Sequence, residues 1–261
     1  MRGRAIRLSL PRRLVIDLLH FGAAIPTVPV QRRMSIAPVV AARATCRQKP
    51  RWTAIFAKAY ALTAREFPAL RRVYVKIPWP HLYEYAESHA YVVVERDYEG
   101  EPCLFSTVIE DTATRSFKEI GNALKRVWTA PIETIDEFGL ELKLARFPRP
   151  LRRLLMWLVL NVGAWRANFY GTFGLSVYSA LEAESLHPIM PMTGSLNYGI
   201  IAEDGTVSVR IIYDHRVLDG ATVARALARL EQILNTTIAE ELKSLPRARL
   251  ANAAPPRRVS G

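Results

Sequence analysis

The stretch Tyr213-Asp214-His215-Arg216-Val217-Leu218-Asp219-Gly220 decides how this chain is read. Before it, Ser195 to Ala202 is an apolar-rich run, closed by Glu203-Asp204-Gly205. Asp-Gly is a strong hairpin signal. Thr206 to Tyr213 then alternates, with Val207, Val209 and Ile211 on one face, as a strand with one buried side does. Beyond Gly220 the period changes: Val223, Leu227, Leu230 and Leu234 recur at helical steps. His215 therefore falls on a short connection between a strand and a helix, where rigid elements can hold a base in place. Local chemistry leaves its neighbours open. Asp219 is as well suited to cap the helix as to serve the histidine, and Gly220 suits a tight turn.

The run Asp214-His215-Arg216-Val217-Leu218-Asp219-Gly220 resembles the Asp-His-Arg-x-x-Asp-Gly signature of the 2-oxoacid dehydrogenase acyltransferases. It is also similar to the His-x-x-x-Asp-Gly motif of chloramphenicol acetyltransferase, which shares their fold. Other segments carry the same resemblance in the same order. Ile25-Pro26-Thr27-Val28-Pro29-Val30 is similar to the opening of the family's first strand. Ala54 to Leu62, followed by Phe67-Pro68, is similar to its early helix, and Tyr91 to Thr107 to a strand pair joined by an acidic, glycine-containing turn. Gly171-Thr172-Phe173-Gly174-Leu175-Ser176 resembles its Gly-x-Phe-Thr-Ile-Ser segment.

The resemblance implies an α/β (α+β) fold: a two-layer sandwich like that of chloramphenicol acetyltransferase, a mixed sheet with helices packed on one face. It implies acyl transfer from a CoA thioester to a thiol or hydroxyl acceptor, with acyl-CoA as co-substrate and no metal. His215 would be the general base, a role for which imidazole has a suitable pKa. Ser176 would donate to the oxyanion, and Asp219 would brace the histidine. Asp214, Arg216 and Gly220 would shape the loop. In the family the histidine and the serine meet across the interface of a homotrimer. Departures fall near the expected substrate site. Val177-Tyr178-Ser179 follows Ser176 where the family continues Asn/Ser-Leu-Gly, and Pro68-Ala69-Leu70 leads into Arg71-Arg72. The acceptor, the acyl chain and the CoA contacts are left open.

The family's multienzyme members carry lipoyl domains and alanine- and proline-rich linkers. Here the resemblance begins near Arg12, so a free-standing transferase with no covalently bound lipoyl group is expected. A lipoyl domain or an acyl carrier protein in trans is the alternative partner, and a non-catalytic trimeric scaffold is the alternative function. The expected division is a basic segment over 1–11, a catalytic domain over 12–240 and a disordered, Ala-, Pro- and Arg-rich tail over 241–261.

Composition narrows the rest. The 261 residues are half hydrophobic, enough for a substantial core. Cys46 and Cys103 show neither metal-ligand nor redox spacing, and the apolar run Leu14 to Ile16 stops at Asp17, unlike a secretory signal. A cytoplasmic protein is expected. The net charge of +12 raises nucleic acid as a partner, but the basic residues are dispersed and no binding motif accompanies them. No nucleic acid is expected. Arg149-Pro150-Leu151-Arg152-Arg153 precedes the unbroken apolar run Leu154 to Leu160. Such a segment can rest peripherally on an anionic membrane or line an acyl-chain channel, but a helix packed in the core is the favoured reading.

Overall fold

The structure is a computed structural model that describes residues 3–176 and 185–247. Its centre is a mixed six-stranded sheet in the order β1-β8-β7-β6-β4-β5. The strands are β1 (Thr27–Ser35), β4 (Ala90–Tyr98), β5 (Glu101–Ile109), β6 (Phe173–Leu175), β7 (Gly194–Tyr198) and β8 (Thr206–Asp214). Central β6 runs parallel to both β4 and β7, and the outer pairings β1–β8, β7–β8 and β4–β5 are antiparallel. A small hairpin of β2 (Arg72–Val75) and β3 (His81–Glu84) stands apart from this sheet.

One face of the sheet carries the main core. The alternation expected in β8 is present, with Val207, Val209, Ile211 and Tyr213 all buried in that core. Against it lie α3 (Trp52–Glu66), α4 (Phe117–Thr129) and α8 (Gly220–Ile233). The helical period read after Gly220 is the inner stripe of α8: Val223, Leu227 and Leu230 are buried, and Leu234 opens a π-helical turn that leads into α9 (Ala239–Ser244). The early helix is α3, whose inner side stacks Phe56 on Tyr198 and Tyr60 on Phe173. The helix α4 begins with a complete capping box, in which Ser116 and Glu119 each satisfy the other's backbone N–H.

The opposite face is covered over its β4–β5–β6 half. There α1 (Leu10–Gly22), α5 (Asp136–Arg146) and α7 (Gly163–Tyr170) pack beside β5, and α6 (Arg149–Asn161) packs on α7 and β2. In the segment 149–160, Arg152, Met156 and Leu160 form the buried stripe of α6. Arg152 is neutralised by Asp17 of α1, which also pairs with Arg153 at 2.7 Å. Among the described residues no helix is long and apolar enough to cross a membrane.

Two turns show why the strands meet where they do. In the β4–β5 hairpin Glu99 and Gly100 both have positive φ, 56° and 78°, the geometry of the tight turn that matches strand twist. At Gly171 φ is 61°, and a Cβ would sit 2.6 Å from the carbonyl oxygen of His89. Only glycine fits there, and this close approach sets β6 beside β4.

The expected tail boundary at 241 falls inside α9. Leu242 is fully buried, Lys58 pairs with Glu241 at 2.5 Å, and Arg47 donates its backbone N–H to Pro246. The packed unit therefore runs at least to Arg247, and the remainder of the expected tail lies outside the described residues.

Candidate functional site

His215 is the first residue beyond β8, and its loop is pinned from several sides. Its backbone N–H donates to Pro26 at 3.0 Å, which ties it to the start of β1. Asp214, almost fully buried, receives the Arg216 guanidinium at 2.7–3.2 Å and the Arg216 backbone N–H at 2.9 Å. The Asp214 backbone carbonyl accepts from Val217 and Leu218. Arg216 is in turn stacked over the ring of Tyr74 at 4.7 Å, so the β2–β3 hairpin supports the loop. The His215 ring meets Tyr213 edge-on at 5.6 Å, and half of its side-chain surface remains exposed. Loop rigidity and an accessible imidazole thus coincide.

Asp219 occupies the N-cap position of α8, yet its side chain makes no capping hydrogen bond. Its carboxylate lies 4.0 Å from His215 Nδ1 and is largely exposed. At that distance the two groups face each other without a hydrogen bond, and the capping bond is absent as well. Gly220 does not turn the chain by positive φ. It is the first helical residue, and a Cβ there would approach the Tyr213 hydroxyl to 3.3 Å. Its smallness serves close packing.

Ser176 is the first residue beyond β6 and is buried. Its carbonyl accepts from Asn197 Nδ2 at 2.6 Å, Asn197 Oδ1 accepts from Arg210 at 3.3 Å, and Arg210 Nε donates to Gln31. The result is a polar row reaching from the end of β6 across β7 and β8 to β1, on the face away from the main core, buried at Ser176, Asn197 and Arg210 and exposed at Gln31. Nothing in the sequence marks Gln31, Asn197 and Arg210 as a set. The register alone brings them into line. The residues Val177-Tyr178-Ser179, where the family's pattern is broken, lie outside the described residues.

The structure does not bring Ser176 and His215 together within one chain. Ser176 sits beside Asn197, which pairs with Arg210, and His215 is five residues further along that strand line. At about 3.4 Å per residue and about 4.8 Å between strands, the two are roughly 20 Å apart.

Ser176 instead lines a mostly apolar cavity of about 370 Å³ on the covered half of that face. Leu18, Val93, Leu144 and Met156 supply walls from four different elements. One polar cluster interrupts them. Glu141 accepts from both the backbone N–H (3.2 Å) and the hydroxyl of Ser106. Burial pushes the Glu141 carboxyl up from 4.5 to about 8, against the pull of the Ser106 bonds, and the Glu137 carboxylate adds to the rise. Folded protein therefore binds a proton here that unfolded chain has released, over the range from about pH 4.5 to about pH 8. Stability contributed by this proton is complete below that window and lost as pH climbs through it. Glu141→Gln is expected to remove this slope. The stability difference between variant and wild type should grow by on the order of a few kcal/mol between pH 5 and pH 9, measured by urea unfolding.

Two of the other four histidines, His81 and His187, make contacts of their own. His81 lies 2.6 Å from the Trp79 carbonyl within its own turn, and His187 pairs with the Thr27 hydroxyl at 2.8 Å.

No protein-family model matches this sequence, and no curated protein matches it. Solved structures do. A probable dihydrolipoamide acetyltransferase from Listeria monocytogenes superposes with a TM-score of 0.65 at 17% identity, covering 94% of this chain and 98% of that one. The dihydrolipoamide acetyltransferase of Azotobacter vinelandii, studied for the role of a serine, a histidine and an asparagine in its catalytic mechanism, gives 0.64 at 18% identity, covering 91% and 93%. Chloramphenicol acetyltransferase gives 0.50 at 14% identity, covering 87% and 98%. The chain described above therefore has the fold of dihydrolipoamide acetyltransferase catalytic cores and of chloramphenicol acetyltransferase.

Proposed function

We propose that this chain is an acyltransferase that moves an acyl group from a CoA thioester to a thiol or hydroxyl acceptor, in sites formed between the subunits of a homotrimer. The observation that carries the reading is the setting of His215: a backbone pinned to Pro26, a loop clamped by Asp214 and Arg216, a ring half exposed, and a carboxylate 4.0 Å from Nδ1.

The chemistry follows from those groups. The imidazole of His215 removes the proton of the acceptor as its sulfur or oxygen attacks the thioester carbonyl. Negative charge then collects on the carbonyl oxygen, where the Ser176 hydroxyl donates to it. The Asp219 carboxylate favours the imidazolium that exists at that moment. Collapse of the tetrahedral species breaks the carbon–sulfur bond, and the departing CoA sulfur takes the proton back. No acyl-enzyme forms, so an acyl group trapped on Ser176 would contradict the scheme.

A separation of roughly 20 Å within one chain supports a shared site, because in a ring the end of one subunit meets a different part of the next. The test exploits this. His215→Ala and Ser176→Ala proteins are each expected to be strongly impaired alone. Unfolded together and refolded as mixed trimers, they should regain activity in about a quarter of the sites, those that receive both intact residues from two chains. Mixed trimers that form but recover nothing would rule out a site divided in this way.

A further inference from the structure

The cavity beside Ser176 has features that the transfer chemistry alone does not require. Its walls come from α1 (Leu14, Leu18), α5 (Leu144), β4 (Val93) and α6 (Met156), and the Glu141 side chain adds no formal charge while it holds its proton. Its mouth is also apolar. Leu19, Leu140, Phe169 and Ile189 line it and are each more than two-fifths exposed, unusual for side chains of this kind so close together. At about 370 Å³ it falls within the range of small-molecule sites, roughly 300–1,000 Å³. An acetyl group would leave most of this volume unfilled.

From this apolar lining and from Ser176 within it, we infer that the cavity holds the hydrocarbon tail of the acyl donor, so that the transferred group is a medium-length or longer acyl chain. This rests on the transferase reading above. If the Ser176 hydroxyl meets the thioester carbonyl, the carbon chain attached to that carbonyl starts at the cavity wall. The apolar space is then the direction in which the chain avoids water. The protonated Glu141 matters here, because an ionised carboxylate beside a hydrocarbon chain would need water or a counter-charge. The groups facing Glu141 are Ser106 on β5, Glu137 one turn back on α5, Tyr91 on β4 and Tyr170 on α7. Both tyrosines are raised by burial and stay neutral through the same pH range.

The experiment is a binding series on the intact protein with acetyl-, butyryl-, octanoyl-, dodecanoyl- and palmitoyl-CoA, read by calorimetry, with the matching free fatty acids as controls. Affinity is expected to rise by up to about three- to fourfold per added methylene until the cavity is full, then level off. In Leu144→Trp, which narrows the cavity, levelling should come at a shorter chain. Because that variant can also fail to fold, a second readout uses wild type alone. Dodecanoyl-CoA with a photoreactive group at its far end should label Leu18, Leu144, Met156 or their immediate neighbours. Equal affinity for all chain lengths, or labelling confined to surfaces outside these elements, overturns the inference even where acyl transfer is measured. A chain-length gradient and correct labelling without any transfer supports the cavity as a hydrocarbon site and removes the transferase reading instead.

Discussion

His215→Ala is expected to lower kcat/KM for acyl transfer by about 10²- to 10⁴-fold, the usual contribution of a positioned general base. Fold and assembly should survive. The loop that carries His215 is held by Asp214, Arg216, Tyr74 and Pro26, and only the last of these contacts His215 itself, through a backbone group that alanine retains. The ring is half exposed, so its removal opens no buried cavity. Circular dichroism and sedimentation should therefore match wild type while turnover collapses. The accompanying Asp219→Asn change should cost less, because it leaves the base in place and removes only the charge 4.0 Å from Nδ1. A His215→Ala protein with near-normal turnover would mean that the imidazole is not the base, and the scaffold alternative would then gain ground.

Asp17→Ala should produce the largest loss of stability, about 3–5 kcal/mol in urea unfolding at fixed protein concentration. Asp17 is fully buried and faces two guanidiniums, Arg152 and Arg153. Arg152 also donates to the carbonyls of Ala145 and Phe147 at 3.3 and 3.1 Å, so one cluster joins α1, the end of α5 and the start of α6. Removing the carboxylate strands a buried cation, which is worse than never having buried the pair. Replacing Asp17 and Arg152 together by apolar residues should recover much of the loss. A shift below about 1 kcal/mol for the single change would show that water reaches the cluster.

This pair also shows where sequence reading stops. Asp17 is visible as the residue that breaks an apolar run, and Arg152 as part of a basic segment, but 135 positions separate them. Only tertiary packing makes them partners. The strand–loop–helix around His215 was legible because its signals are local: alternation, an Asp-Gly turn, then a helical period. Helix α3 and the β4–β5 hairpin were legible through the resemblance instead, over Ala54 to Leu62 and Tyr91 to Thr107. The resemblance supplied the role of Ser176, and the register of three strands, β6, β7 and β8, determines its distance from His215. The cavity walls come from positions between 14 and 190, and no window of sequence contains them. The basic, apolar segment 149–160 reads ambiguously on its own, since the same pattern suits a membrane surface until Arg152 is seen to point inward.

The pairing of β1 with β8 has a consequence for how the chain is made. These strands are partners across roughly 180 residues, and β8 is the only strand to which β1 is bonded among the described residues. At a synthesis rate of about 5–20 residues per second, β1 emerges from the ribosome roughly ten to forty seconds before its partner exists. Throughout that interval the segment Thr27–Ser35 has a free edge on both sides. Pro29, which offers no N–H to a foreign strand, and the neighbouring charges of Arg32 and Arg33 suit a segment that must wait for its own partner.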